Sequence, residues 1–284
     1  MESMPAPELQ AALSEATGVA VRVEEPLSRH LPLRLGGPVE LWVHAHDEDA
    51  LTVALKAARS THSVWRVHWP FEDWLVRDGG LKGAVIRLGR GFEAIVLDED
   101  TVTIGSAALW SALPSELQGP IWDELRTWPG CPGGWTSGGW DEELDRACVG
   151  IRVHQSGRIL DLAVNPGEGM PSLNKNAVLL SITLHREIPP RVDLLPPPAP
   201  GAIFQQVDNT TVATELDKAG LTGTRLRRWR ISRAAPGTVV QLGGGSCKDL
   251  MLLVQGIRTR VEKQRGVKIQ TRIPLLGNEP GRRR

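Results

Sequence analysis

In Leu75-Val76-Arg77-Asp78-Gly79-Gly80-Leu81-Lys82-Gly83-Ala84-Val85-Ile86-Arg87-Leu88 the chain changes character: from Gly83 onward the pattern turns β-rich. Ala84–Leu88, Ala94–Leu97 and Val102–Ile104 follow in quick succession, separated by Gly or Asp/Glu turns, and predict three strands. Ahead of this block, Pro7–Thr17 carries Leu9, Ala12, Leu13 and Ala16 at helical spacing and is closed by Gly18. Val39–Val43 reads as a strand, Asp47 as the cap of a helix whose Leu51, Ala54, Leu55 and Ala58 share a face, and Val64–Val67 as a short strand. The result is a βαβ-like first unit. Beyond the block, Val149–Val153 and Arg158–Leu162 flank the hairpin signal Gln155-Ser156-Gly157, and Ala177–Leu184 predicts another apolar strand.

Ile188 to Pro200 is so proline-rich that an extended, stiff linker is expected. After it come a helix over Thr211–Ala219 ended by Gly220, a strand over Thr238–Leu242, and the run Gly243-Gly244-Gly245. Ser246 and Asp249 form a capping signature for an amphipathic helix with Leu250, Leu253, Val254, Ile257 and Val261 on one stripe. Val267–Ile273 is the expected last strand. The predicted organisation is α+β: residues 1–82, a β-rich 83–187, a linker 188–200 and a C-terminal domain 201–284.

Composition narrows the function classes. Lys+Arg and Asp+Glu are equal at 33 each, so there is no basic excess and no nucleic-acid partner is expected. Cys131, Cys148 and Cys247 are scattered without a C-x-x-C pair, which suits a reducing compartment. The opening residues carry no secretory signal pattern, and no apolar run of about 18 residues predicts a membrane span. A cytoplasmic address is expected. Ten tryptophans stand beside no tyrosine. Either this is compositional bias, or the rings of Trp69, Trp74, Trp128, Trp135 and Trp140 fill space once left for a ligand.

The segments Pro26–His30, Arg34–Glu40 and Leu75–Leu88, then Ala219–Gly223, the helix from Ser246 and Gly266-Val267, occur in an order and spacing that resemble UDP-N-acetylenolpyruvoylglucosamine reductases, the MurB family. The resemblance implies a flavin-binding module of the vanillyl-alcohol-oxidase type in two subdomains, with a third domain closing over the substrate. It also implies FAD and NADPH as cofactors, a place in peptidoglycan precursor (UDP-N-acetylmuramate) synthesis, and a serine that delivers a proton.

Set against that pattern, the functional positions diverge. Where the family has a Gly-rich diphosphate loop, the chain has His68-Trp69-Pro70-Phe71-Glu72-Asp73-Trp74: no glycine, a proline without an amide donor, the rings of Trp69 and Phe71 expected to fill the volume, and two carboxylates. The second flavin segment keeps Pro129, Gly130, Gly133 and Gly134; with Gly36 and Gly37 these are the candidate cofactor-binding residues. They are either turn-formers or the remnant of a nucleotide pocket. Ala202 stands at the proton-donor serine and has no exchangeable proton. Arg272 stands at the family's partner glutamate, a charge reversal, and Asn165–Lys175 has no arginine where the family has one. No catalytic residue is therefore assigned.

His44 and His46 share a strand face but lack an obvious third ligand, so no metal is expected. Gly243–Ser246 reads as a turn, and Arg225, Arg227, Arg228 and Arg230 either as a solvated face or as a UDP- or partner-contacting patch. Two functions follow from the resemblance: an NADPH- and FAD-dependent reductase with impaired catalysis, or a pseudoenzyme that binds a UDP-sugar or another cell-wall enzyme.

Overall fold

The computed structural model describes residues 6–14, 16–136, 142–168, 171–188, 201–205, 211–273 and 275–279; the expected linker from residue 189 and Trp140 lie outside them. The chain divides into two compact units, residues 1–23, 41–72 and 83–197 in the first, and 24–40, 73–82 and 198–284 in the second.

In the first unit a four-stranded sheet runs in the order Val19–Pro26, Pro38–Ala45, Leu81–Leu88, Trp65–His68. Its strand Val19–Pro26 was not foreseen, because the alternating run is short: Val19, Val21 and Val23 are followed in line by the charged Glu25. Asp47 caps the helix Glu48–Ser60 by accepting the Ala50 N–H at 2.8 Å. That helix packs its Leu51, Ala54, Leu55 and Ala58 on Leu41, Val43, Ala45, Ala84, Ile86 and Leu88 of the sheet. Strand side chains alternate in direction, so Trp42, His44, Val85, Arg87 and His68 point to the sheet's opposite face.

An antiparallel five-stranded sheet follows, ordered Ile95–Leu97, Thr101–Gly105, Val178–His185, Cys148–Gln155, Arg158–Ala163. Its last hairpin turns at Ser156 (φ 52°) and Gly157 (φ 84°), two consecutive left-handed residues as a two-residue turn requires. Trp110, Trp122 and Trp128 fill the core behind this sheet, with Trp110 and Trp128 edge to face at 6.3 Å and the Trp122 indole donating to Arg186 O at 2.8 Å. These tryptophans are structural.

His154 is buried in this sheet, with neither ring nitrogen bonded to another described residue. Burial, reinforced by Arg59, lowers its pKa below the ordinary imidazole value. The unfolded chain therefore takes up this proton near pH about 6.5 while the folded chain resists it. Stability from this site is complete above that pH and is lost as pH falls through the folded value. Denaturation midpoints measured at about pH 8 and about pH 5.5 should fall more steeply for the wild type than for His154→Gln. Equal slopes would show that the buried ring contributes nothing.

The second unit is built around the long helix Cys247–Arg265, which starts with Ser246 accepting the Asp249 N–H at 3.1 Å and ends at Gly266, φ 68°. Its Leu250, Leu253, Val254, Ile257 and Val261 pack with Trp229, Ile231, Leu216 and Ile203. A small sheet orders Arg225–Leu226, Trp229–Ile231, Val239–Gln241, and Leu75–Val76 pairs in parallel with Leu275–Leu276. The Arg77–Gly80 turn is the keystone here. The Asp78 carboxylate accepts the N–H groups of Cys247 (2.8 Å) and Lys248 (3.1 Å) at the helix start, and Gly79 N–H donates to Asn278 O at 3.0 Å. Gly37 touches the Asp78 backbone so closely that no side chain fits there.

One expectation is corrected. Val267–Ile273 is not a strand: among the described residues it makes a single bridge, Thr271 to Phe204, flanked by Gln205 N–H to Gln270 O and Arg272 N–H to Ile203 O, both at 2.8 Å.

Candidate functional site

The replaced diphosphate loop begins at the C-terminal end of the strand Trp65–His68. Its amides are bonded within the loop: Trp69 N–H donates to the Glu72 carboxylate at 3.2 Å and Glu72 N–H to Trp69 O at 3.2 Å. The Trp69 indole lies against Gly133 so tightly that a Cβ on Gly133 would enter the ring. Gly133 and Gly134 sit in the short helix Pro132–Thr136, Gly133 N–H donates to Ser106 O at 2.8 Å, and Gly130 O accepts from Trp110 N–H at 3.0 Å. Gly130 and Gly134 both line up along Pro70 O. The two segments expected to hold a flavin diphosphate thus pack on each other. Phe71 departs from expectation: it does not fill the loop's interior but stands 54% exposed at the tip, with φ 60°.

Cys131 is buried between these segments, and its thiol is pushed up to about 12 by burial, against the pull of the Gly134 and Gly133 amides and of Arg87. It is a packed, inert thiol. All three cysteines are buried.

Gly36 and Gly37, the remaining candidate cofactor glycines, belong to the second unit. Gly36 (φ 112°) packs on Val76 and Gly37 on the Asp78–Gly80 turn, so both close that turn.

Around Ala202 the second unit places a charge pair. Asp73, with a side chain 6% exposed, accepts the Gly201 N–H at 2.9 Å and lies 3.9 Å from the Arg272 guanidinium. Arg272 Nε donates to Ala202 O at 3.1 Å. Asp73 and Arg272 therefore hold the segment Gly201–Ala202 from two sides. Burial raises the Asp73 carboxyl's pKa, opposed by the Gly201 N–H and Arg272, and lowers that of Arg272. The sequence reading took Asp73 only as a charge hostile to a diphosphate. The signal for its actual role was the reversal at Arg272, which calls for an acid nearby.

Other candidates resolve simply. His44 and His46 stack with ring centroids 4.6 Å apart, and no group of three possible metal ligands exists among the described residues. Gly243 and Gly244 adopt φ 93° and 65° with open space around them, as in a turn. Arg227 pairs with Asp249 at 2.7 Å, while Arg225, Arg228 and Arg230 are exposed. Asn165 donates to Glu168 at 2.8 Å and Asn174 N–H to Gln155 at 2.9 Å, so the segment compared with the family's arginine loop is polar turn in the parts described.

Residues 193–276 match the family model of the UDP-N-acetylenolpyruvoylglucosamine reductase C-terminal domain. Along the full chain, the reductase of that name from Clostridioides difficile (strain 630) is 26% identical over 91% of this chain and 94% of its own length. The one from Geobacter metallireducens is 26% identical over 96% and 99%. The chain is thus similar to MurB reductases along nearly its whole length, and its C-terminal part carries the MurB C-terminal domain. The crystal structure of MurB from Thermus caldophilus superposes with a TM-score of 0.64 at 18% identity, covering 91% of this chain and 99% of that one. The α+β fold is accordingly that of MurB. Among the described residues, no helix is long and apolar enough to cross a membrane.

Proposed function

We propose that this MurB-family protein serves peptidoglycan precursor synthesis without carrying out the reduction itself, as a non-catalytic relative that recognises a UDP-sugar or a cell-wall enzyme. The observation that carries this reading is the clasp at the proton-donor segment. Ala202 has no proton to give, and its backbone is held by Arg272, which is paired to Asp73 where the family pattern has a glutamate. The division 1–82, 83–187 and 201–284, read from the residue pattern, and a cytoplasmic address, read from the scattered cysteines, belong to the same reading.

The residues at the flavin-type segments do not fit a diphosphate held in the family's manner. A diphosphate needs free amides and room; here the Trp69 amide bonds to Glu72, the Gly133 amide to Ser106, and the Trp69 ring covers Gly133. A second anion would also meet the Glu72 carboxylate. No catalytic step is derived through FAD or NADPH.

The alternative, a divergent reductase, draws support from the full-length likeness to proteins named as reductases. One assay separates the two. Purified protein should show no flavin absorbance and no NADPH oxidation dependent on UDP-N-acetylenolpyruvoylglucosamine, even with FAD added. Turnover within about a hundredfold of an active MurB would sink the non-catalytic reading, since loss of an acid alone removes about 10²–10⁴. Thermal-shift titration with UDP-sugars then tests recognition, because a ligand of the native state raises the melting point.

A further inference from the structure

On the N-terminal sheet, the face turned away from the helix Glu48–Ser60 carries a row of nitrogenous side chains. His68 and Arg87 are register partners on parallel strands. On the other side of Arg87, Gly80 packs on Pro38 at one end and Gly89 N–H donates to Ala45 O at 2.8 Å at the other. The strands Pro38–Ala45 and Leu81–Leu88 therefore run the same way, with His44 level with Arg87. His46, exposed, stacks on His44 at 4.6 Å between centroids.

Arg87 is only partly exposed, yet its guanidinium has no carboxylate or carbonyl partner among the described residues. Half-buried guanidinium groups are ordinarily paired, because five donors taken from water must be bonded again. Facing it are the buried thiol of Cys131, which is un-ionised, and the exposed Glu93; Arg22, on the strand beyond His44, adds positive field, and Glu72 lies beside Cys131. Burial and the neighbouring cations hold His44 below the ordinary imidazole pKa, so it gains a proton readily only when an anion arrives.

We propose that Arg87, His44 and His46 form a receiving site for a phosphate group. The guanidinium presents a planar fork to two phosphate oxygens, and the imidazoles donate to the remainder. A dianion suits the site better than a carboxylate, since one charge is balanced by Arg87 alone and a second is needed to hold His44 protonated. The phosphate could be free or carried by a nucleotide; the chemistry recognised is the same. The inference does not depend on whether the protein reduces anything.

Inorganic phosphate would be titrated into the full chain at constant ionic strength, balanced with chloride, while the melting point and the histidine ring resonances are followed. Phosphate is expected to raise the melting point beyond chloride and to shift the His44 and His46 resonances, more strongly at about pH 6 than at about pH 8. Arg87→Gln should bind about tenfold more weakly or worse, the loss of a charge-assisted contact, with an unchanged circular dichroism spectrum. His44→Asn/His46→Asn, which touches a more open edge, should remove the pH dependence and provides the test should Arg87→Gln fail to fold. UDP beside pyrophosphate identifies the source: tighter binding of UDP points to a nucleotide, equal binding to phosphate alone, and both should require Arg87. Phosphate no more effective than chloride, or a folded Arg87→Gln that binds as the wild type does, would overturn the proposal.

Discussion

Arg272→Glu, which puts the family's residue back at its position, should destabilise the protein rather than repair it. Two carboxylates would then share the space around Gly201, and Ala202 O would lose its donor. Removing one partner of a buried pair costs about 3–5 kcal/mol, and the partial exposure of Arg272 places the effect at the lower end. Chemical denaturation should show the loss directly. Asp73→Asn added to Arg272→Glu should recover about 1 kcal/mol or more, because the amide oxygen it introduces can still accept the Gly201 N–H while the repulsion is removed. Strict additivity of the two substitutions would mean that the pair is not coupled, and the clasp argument would fall with it. Neither variant is expected to gain reductase activity, since the acid at position 202 is still an alanine.

Gly133→Ala carries the second large effect. Helix propensity alone favours alanine over glycine in Pro132–Thr136 by about 1 kcal/mol. The new Cβ, however, would stand inside the Trp69 indole, and displacing a packed ring costs about 1–3 kcal/mol more than the propensity returns. Gly134→Ala is the control: its Cβ would meet the Trp69 Cβ at 3.4 Å, an ordinary contact, so stability should hold or rise slightly. A lower denaturation midpoint for Gly133→Ala, with a red-shifted tryptophan emission, is the expected result. If both variants behave alike, the indole does not pack on Gly133, and the two segments are not closed on each other.

Much of the architecture was legible in the residues because it rests on local physics. The caps at Asp47 and Ser246, the hairpin at Ser156-Gly157 and the stops at Gly220 and Gly266 are each decided by what a backbone can do within a few residues. The strand Val19–Pro26 escaped because its apolar run is short and Glu25 falls in line with Val19, Val21 and Val23, and Val267–Ile273 was overread because apolar alternation alone does not supply a ladder partner: among the described residues it makes one bridge. The role of the tryptophans was also ambiguous from composition: Trp110, Trp122 and Trp128 are core, and Trp69 alone of the described ones covers a candidate cofactor glycine.

By itself the sequence determined the resemblance to MurB reductases and the chemistry of the residues at the compared positions: alanine cannot donate a proton, proline cannot donate an amide, and an arginine in a glutamate's place reverses a charge wherever it lies. Only the tertiary structure decided what those substitutions became. Asp73 and Arg272 stand far apart in the chain, and their pairing exists only because the segment Gly201–Ala202 is folded between them. Trp69 closes on Gly133, and His44 falls beside Arg87, for the same reason: contacts between distant residues are set by packing and register, which no local pattern of residues encodes.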